Sequence, residues 1–217
     1  EDNDEEEKND FPEKKVFTKL MYKADGGGYL KENRLFQIKK INTSLLDEKP
    51  EMLVEEDRSL ALLYVAKDES YVLLFDRFDP EDEWIYGGSI YKYDLATKEM
   101  KLVTEDIPGG IFGHALPSED EEYFLFTGND FGYKFVTNSH IYGYDVKTET
   151  LIDLIPDLDF GVGDSLVGDF QQNVSGSGLW WLEDKKTFLF KATEHGKITL
   201  YKGSIDGSLE NYGSGFI

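Results

Sequence analysis

The sequence predicts an all-β fold of repeated strand units, and two internal repeats and the distribution of apolar residues support this prediction. The first repeat is a strand segment, Ile90-Tyr91-Lys92-Tyr93-Asp94, that recurs as Ile141-Tyr142-Gly143-Tyr144-Asp145. A threonine follows each aspartate by three positions, and a second alternating apolar stretch comes after it. A strand-based repeat of about 50 residues is typical of propeller blades.

The second repeat is an aspartate, two polar residues and then an apolar, aromatic strand. It begins at Asp68, Asp120 and Asp184. A short aspartate side chain can accept a hydrogen bond from the backbone two residues on, which closes a tight turn between strands. Strands that are apolar at nearly every position fit sheets covered on both faces, as in sheets stacked around an axis. The two repeats together predict a β-propeller of about four four-stranded blades, part of a seven-bladed ring.

The predicted strands alternate with turns, and no apolar stripe of helical period occurs. We expect an acidic loop or linker over residues 1–15 and blades over residues 16–57, 58–107, 108–160 and 161–217. The strands are predicted at Val16–Lys23, Arg34–Lys40, Met52–Glu55, Leu60–Val65, Tyr71–Asp76, Ser89–Asp94, Met100–Val103, Ile111–Leu116, Tyr123–Thr127, Ile141–Asp145, Leu151–Leu154, Leu179–Leu182, Phe188–Lys191 and Ile198–Ser204.

The composition excludes several classes of partner. The net charge of the 217 residues is −21, so nucleic acid and anionic membrane surfaces are disfavoured. No apolar run approaches the length of a transmembrane helix. The absence of cysteine rules out disulfides and zinc–thiolate sites, and with the absence of a signal-peptide pattern it leads us to expect a cytoplasmic protein.

The sequence begins without methionine and stops soon after a predicted strand, so we expect a fragment of a longer polypeptide. A propeller that is cut would expose unpaired strand edges, which are templates for association. Self-association through such edges is therefore expected.

Several short motifs resemble the propeller of prolyl oligopeptidase-type serine peptidases. Their blade turn usually reads Trp-Ser-Pro-Asp-Gly-Lys, and Trp181–Lys186 keeps the tryptophan, the aspartate and the last lysine. Ser118 and Asp120 keep two positions of the same turn. Tyr22–Gly28 and Asp159–Asp169 look like two segments of the acylaminoacyl-peptidase-like branch. The resemblance runs from about residue 11 to residue 210.

This resemblance implies the middle-to-late blades of a seven-bladed propeller that precedes an α/β-hydrolase domain with a Ser-Asp-His triad. The propeller of such enzymes covers the active site and restricts entry to short peptides. We therefore expect this chain to gate the access of short N-blocked peptides to a hydrolase domain of the same polypeptide. The alternative is a stand-alone propeller that serves as a binding or scaffold module.

The catalytic residues themselves are predicted to be absent from the chain, and no cofactor or metal is expected. An α/β-hydrolase nucleophile sits in a Gly-x-Ser-x-Gly elbow, and this pentapeptide does not occur. Gly163-Asp164-Ser165-Leu166 spells the signature of another esterase class, but no aspartate lies three residues before any histidine. We interpret that match as a coincidence.

Three further features have a structural and a functional interpretation. Gly113-His114 is typical of one WD40-type unit, yet a lone strand histidine is more often structural. The acidic segment Asp157–Asp169 can offer oxygen ligands to Ca²⁺, although an inter-blade loop fits it better. Trp84, Trp180 and Trp181 can line a peptide channel, but we favour packing, with one of the adjacent indoles in the core and the other between blades.

Overall fold

The structure, a computed structural model, describes residues 14–18, 22–24, 28–29, 37–44, 49–56, 58–76, 88–165 and 178–216. The chain divides into two compact units, Glu1–Arg34 and Leu35–Ile217. Among the described residues no helix is long and apolar enough to cross a membrane.

The first unit contains a short hairpin with an aromatic cluster. Its strands are β1 (Lys23–Ala24) and β2 (Gly28–Tyr29), which pair antiparallel. The ring of Phe17 lies 4.7 Å from that of Tyr22 and 5.2 Å from that of Tyr29, between centroids. All three rings are exposed by more than a third.

In its described residues, the second unit is built from antiparallel strands and one 3₁₀ turn at Lys134–Val136. The strands are β3 (Lys39–Lys40), β4 (Glu51–Met52), β5 (Leu60–Val65), β6 (Tyr71–Asp76), β7 (Ile90–Asp94), β8 (Met100–Leu102), β9 (Ile111–Pro117), β10 (Tyr123–Asn129), β11 (His140–Asp145), β12 (Thr150–Asp153), β13 (Leu179–Trp181), β14 (Thr187–Glu194), β15 (Lys197–Ser204) and β16 (Leu209–Phe216).

Three four-stranded sheets follow one another, and in each the strands are neighbours in chain order. We name them blade A (β5–β8), blade B (β9–β12) and blade C (β13–β16). The described part of the preceding region contributes only the pairs β1–β2 and β3–β4. The predicted all-β, propeller-type fold of four-stranded blades is confirmed.

The strand predictions fail mainly at the two ends of the chain. Val16–Thr18 is not in a strand, and β1 begins only at Lys23. In the region predicted as Arg34–Lys40, the strand in the described residues is limited to β3. Strand β16 was not predicted, because its sequence is polar and glycine-rich and lacks an alternating apolar pattern.

The aspartate turns form as predicted, and they set the junction between the first and second strand of each blade. The Oδ1 atoms of Asp68, Asp120 and Asp184 each accept a hydrogen bond from the backbone two residues on, at 3.0, 3.3 and 3.1 Å. The following residue, Glu69, Glu121 or Lys185, adopts a positive φ of 56° to 61°. The three turns are therefore structurally equivalent.

The Tyr-x-Tyr-Asp repeat ends the third strand of blades A and B with the same turn. The Oδ1 atom of Asp94 accepts hydrogen bonds from Ala96 N and Thr97 N, at 2.9 and 2.7 Å. Asp145 makes the same bonds at 2.8 and 2.9 Å. This shared capping explains why the two segments are alike in sequence.

The hydrophobic core consists of layers between successive sheets. Leu73 and Ile90 of blade A pack against Phe124 and Phe126 of blade B. One residue on, Leu125 faces the opposite way and lies in the layer with blade C. Because successive side chains of a strand point to opposite faces, the continuous apolar run of β10 serves both layers.

Candidate functional site

The first strands of the three blades offer one free edge each. In the described residues, β5, β9 and β13 pair only with the second strand of their own blade. Leu62 and Val65 on β5 are 46% and 43% exposed. Gly113 lies at a bulge of β9 with open space where a Cβ would stand. Such free edges can pair with an extended peptide backbone.

A polar link holds the first strand of blade A to the turn of blade B. The Tyr64 hydroxyl donates to Glu121, whose Oε1 also accepts the Lys67 backbone N–H at 3.1 Å. Burial and the adjacent Glu121 carboxylate raise the pKa of Tyr64. The phenol thus stays protonated and fixes the spacing of the two blades at this end.

His114 is the titratable residue of β9. It is half-buried, and its Nε2 atom is enclosed without a hydrogen-bond partner. Burial lowers the pKa of His114. A neutral imidazole on a strand beside Gly113 agrees with the structural interpretation of this pair.

The loop between β10 and β11 carries an exposed apolar tip. Tyr133, Phe135 and Val136 are 78%, 71% and 83% exposed. Phe131 and Lys134 adopt positive φ angles of 56° and 59°. Non-glycine residues in this conformation cost free energy, and they concentrate at functional sites.

This loop is nevertheless ordered by its own hydrogen bonds. Thr137 Oγ1 accepts from Tyr133 N at 2.8 Å and donates to Lys134 O at 2.8 Å. The ring of Phe131 packs edge-on against that of Phe135, with centroids 5.2 Å apart. The tip, which we call the aromatic loop (residues 130–137), is therefore a preorganised apolar surface.

A histidine–aspartate pair lies beyond the loop, at the start of β11. His140 Nδ1 is 2.6 Å from Asp153 Oδ2 on β12. The hydrogen bond to Asp153 raises the pKa of His140, against the opposing effect of burial. Burial and the charges of Asp153 and Asp130 raise the pKa of Tyr142 to about 12. The pair anchors the strands beside the aromatic loop.

The histidines do not form a serine–histidine pair in the part of the chain that the structure describes. His140 contacts Asp153, and His195 is exposed, with Nε2 3.9 Å from Glu194. No described group of three or more histidine, aspartate or glutamate side chains is placed to hold a metal ion.

The segment Gly163-Asp164-Ser165 has a structural role. Gly163 N donates to Lys191 O at 2.8 Å, and Ser165 N donates to Thr193 Oγ1 at 2.8 Å. These bonds attach the inter-blade connection to β14. In the acidic segment, Asp157, Asp159 and Asp164 are exposed, whereas Asp169 lies outside the described residues.

The adjacent tryptophans differ in their surroundings. Trp181 Nε1 donates to Leu116 O at 3.1 Å, and its ring packs edge-on against Phe188. The prediction of an indole between blades is correct for Trp181. The prediction that the other indole lies in the core is wrong, because Trp180 is 45% exposed on the outer face of blade C. Trp84 lies outside the described residues.

The sequence interpretation missed the aromatic loop and the His140–Asp153 pair. The loop had a usable signal, since residues 131–136 hold four aromatic or apolar residues between two strands. The His140–Asp153 pair had no such signal in the sequence, because the two residues are brought together by the register of β11 and β12.

These observations define a partial propeller of four-stranded blades, in which the first strand of each blade has an edge that pairs with no other described strand. No known protein family and no curated protein matches the chain by sequence. A solved prolyl endopeptidase is similar, with a TM-score of 0.50 and 10% identity over 83% of this chain and 23% of that one.

Two other solved structures are similar at lower scores. The β-propeller domain of the Trilobed protease from Pyrococcus furiosus gives a TM-score of 0.44 and 16% identity, over 72% of this chain and 42% of that one. TolB from Acinetobacter baumannii gives a TM-score of 0.43 and 18% identity, over 76% of this chain and 34% of TolB.

The chain thus spans between 23% and 42% of the length of these three proteins. The likeness to propellers of prolyl oligopeptidase-type peptidases that the motifs predicted is confirmed at the level of the fold.

Proposed function

We propose that this chain is the non-catalytic propeller portion of a serine exopeptidase resembling acylaminoacyl-peptidase. It gates the access of short N-blocked peptides to an α/β-hydrolase domain of the same polypeptide. The observation that carries the proposal is that the first strands β5, β9 and β13 each leave one edge unpaired among the described residues, in a fold shared with a prolyl endopeptidase.

The physical basis of gating is the size of the passage that such edges border. Adjacent blades are fixed by Tyr64–Glu121 and by the Trp181–Leu116 bond, so the edges cannot separate without breaking these contacts. A short peptide can reach these edges and pair with their backbone groups, whereas a folded protein is excluded by its size. Leu62 and Val65 supply apolar contact on β5.

The test is to express the polypeptide encoded by the complete reading frame beside the 217-residue chain. The longer polypeptide should release p-nitroaniline from acetyl-Ala p-nitroanilide and react with a fluorophosphonate probe at one serine. The 217-residue chain alone should do neither. Turnover by the purified 217-residue chain, or a longer polypeptide without a reactive serine, would contradict the proposal.

Gating is tested separately by substrate length. Leu62→Glu in the longer polypeptide should change the ratio of activity on short and long N-acetylated peptides, while Ile152→Glu should not. Ile152 is a suitable control because it is 51% exposed on the outer strand β12. Equal effects of the two variants on this activity ratio would contradict the gating role but would leave the peptidase assignment intact.

A second candidate function, a stand-alone binding module, is favoured by the aromatic loop. A strained and ordered surface with Tyr133 and Phe135 exposed is typical of a binding site. Under this alternative, the complete reading frame would encode no hydrolase domain. Tyr133→Ser with Phe135→Ser would then abolish binding to a partner and leave the melting temperature unchanged.

A further inference from the structure

His140 lies where the aromatic loop rejoins the sheet of blade B. Strand β10 ends at Asn129, and β11 begins at His140, so the aromatic loop belongs to the connection between these two strands. In the register of the two strands, His140 pairs with Gly128, and this is the last pair before the loop. A titratable side chain therefore stands at the base of the aromatic loop.

The imidazole of His140 is held from the side of β12. Its Nδ1 atom lies 2.6 Å from Asp153 Oδ2, and the two side chains are 20% and 26% exposed. The other carboxylate oxygen, Asp153 Oδ1, accepts a hydrogen bond from Ile155 N at 2.9 Å. The backbone thus fixes Asp153, and Asp153 in turn fixes the ring of His140.

A second carboxylate acts on His140 from the loop. Asp130 is the only acidic residue of the aromatic loop. The hydrogen bond to Asp153 raises the pKa of His140 against the effect of burial, and the charges of Asp153 and Asp130 raise it further. Burial raises the pKa of Tyr142 on the same strand to about 12, and the same two charges contribute. Both carboxylates therefore act on one imidazole.

Asp130 also orders the backbone at the start of the loop. Its Oδ1 atom accepts a hydrogen bond from Gly132 N at 2.9 Å, and Asn129 Oδ1 accepts one from Phe131 N at 2.9 Å. Phe131 has a φ of 56° in this turn, a conformation that costs free energy in a residue other than glycine. The position of the Asp130 carboxylate is therefore coupled to a strained turn.

The imidazolium is the positive charge of this cluster in the described residues. Strand β10 has no acidic or basic residue, and the charged residue of β12 is Asp153. On β11, Asp145 lies at the opposite end from His140, in the turn into β12. Lys134 of the aromatic loop places its Nζ atom over an aromatic ring of the same loop, 5.2 Å from the centroid. Loss of the His140 proton therefore leaves Asp130 and Asp153 without the cation that both attract.

We propose that the protonation of His140 controls the order of the aromatic loop. The protonated imidazole attracts Asp130 and Asp153 and holds the loop in its strained conformation, in which Tyr133 and Phe135 are exposed. When His140 loses its proton, this attraction is lost and the loop opens more often. An apolar ligand of the exposed rings therefore binds more tightly at the lower pH. This inference does not depend on the peptidase proposal.

The direction of the effect follows from the charge of Asp130. Because this charge raises the pKa of His140, the ordered loop binds the proton more tightly than the open loop does. The stabilisation of the loop is therefore present at about pH 6 and is lost as the pH rises through the raised pKa. Tyr142 does not contribute to this transition, because its pKa is about 12.

The test is quenched-flow hydrogen–deuterium exchange of the 217-residue chain at about pH 6 and about pH 9, with rates corrected for the intrinsic pH dependence of amide exchange. Protection of residues 131–137 should fall by about threefold or more at the higher pH, because half a pKa unit of linkage corresponds to that factor. The turn at residues 104–110, which is closed by its own backbone hydrogen bonds, should show no such change.

Two variants separate the roles of the imidazole and the carboxylate. His140→Gln should remove the pH dependence of loop protection and leave protection at the low value. Asp130→Asn should also remove the pH dependence, because the amide lacks the charge but keeps the Oδ1 acceptor for Gly132 N. His195→Gln is the matched control, since it makes the same substitution at a histidine that is 91% exposed on another hairpin. It should leave the pH dependence of the loop unchanged.

Equal protection of residues 131–137 at the two pH values in the unaltered chain would overturn the proposal. So would a pH dependence that persists in His140→Gln, because another group would then be titrating. Should His140→Gln fail to fold, Asp130→Asn decides the question, and an unchanged pH dependence in that variant would equally overturn the proposal.

Discussion

Gly203 on β15 shows how closely a single residue is fitted to the layer between blades B and C. A Cβ built at this position would lie 2.5 Å from Cζ of the buried Phe188 ring. The backbone of Gly203 does not adopt a positive φ, so the glycine is required by packing rather than by conformation. The contrast with Gly113, which has open space around it, allows a direct test.

Gly203→Ala should destabilise the protein by about 1–3 kcal/mol, because the added methyl forces the Phe188 ring from its position. Gly113→Ala, also a change in a strand, should alter the free energy of unfolding by less than about 1 kcal/mol. Urea unfolding followed by circular dichroism measures both. Equal losses for the two variants would refute the packing explanation.

The His140–Asp153 pair makes stability depend on pH in a defined direction. The pKa of His140 is raised above its ordinary value of 6.5 by its hydrogen bond to Asp153. The folded state therefore binds the proton more tightly than the unfolded state. The stabilisation is complete below pH 6.5 and is lost as the pH rises through the raised pKa.

His140→Gln should therefore cost more unfolding free energy at about pH 6 than at about pH 9. His114→Gln provides the contrast, because burial lowers the pKa of His114 and its protonation opposes folding. Urea titrations at the two pH values measure both variants. A loss for His140→Gln that is independent of pH would show that the pair does not titrate as its geometry indicates.

At the scale of elements, the blades are defined by turns as much as by strands. Strands β5 and β6 match the sequence prediction from end to end, because their apolar residues are bounded by turn-forming residues. The Asp145 turn fixes the register between β11 and β12, and this register sets Tyr142 opposite Asp153. The side chain of Asp145 in the turn therefore influences the position of the His140–Asp153 pair.

Asp145→Ala should lower the unfolding free energy by about 1–2 kcal/mol, because two backbone N–H groups lose their acceptor. Asp157→Ala removes an exposed carboxylate from the connection that follows β12. It should change the unfolding free energy by less than about 0.5 kcal/mol. Thermal melts of the unaltered chain and the two variants at one pH compare their unfolding free energies. A larger effect at Asp157 would contradict the capping role.

For the whole molecule, stability depends on contacts between blades, since the core lies in the layers between them. The Trp181 indole joins blades B and C through Leu116 O and the ring of Phe188. The neighbouring Trp180 is 45% exposed on the other face of blade C and has no hydrogen bond of this kind to the described residues. The two positions differ by one residue but belong to opposite sides of the same sheet.

Trp181→Phe should lower the unfolding free energy by about 1 kcal/mol or more, because the indole N–H donor between blades is lost. Trp180→Phe should be close to neutral, because the Trp180 side chain is largely exposed. Urea unfolding followed by far-ultraviolet circular dichroism, which does not rely on tryptophan fluorescence, compares them. A neutral Trp181→Phe would show that this bond adds nothing to blade packing.

The sequence by itself determined the β class, the four-stranded repeat and the turns at Asp68, Asp120 and Asp184. These are local properties, since they follow from side chains that bond the backbone two residues on and from alternation along one strand. It also indicated the absence of a Gly-x-Ser-x-Gly elbow from the chain. Strand β16 escaped detection because pairing with β15, rather than apolar alternation, defines it.

Only the tertiary structure decided which face of each blade is covered. Trp180 and Trp181 are indistinguishable as neighbouring residues, yet the first is exposed and the second is hydrogen-bonded between blades. His140 and Asp153 are likewise joined only by strand register. The physical reason is that burial and pairing depend on the element opposite, which lies far away in the sequence.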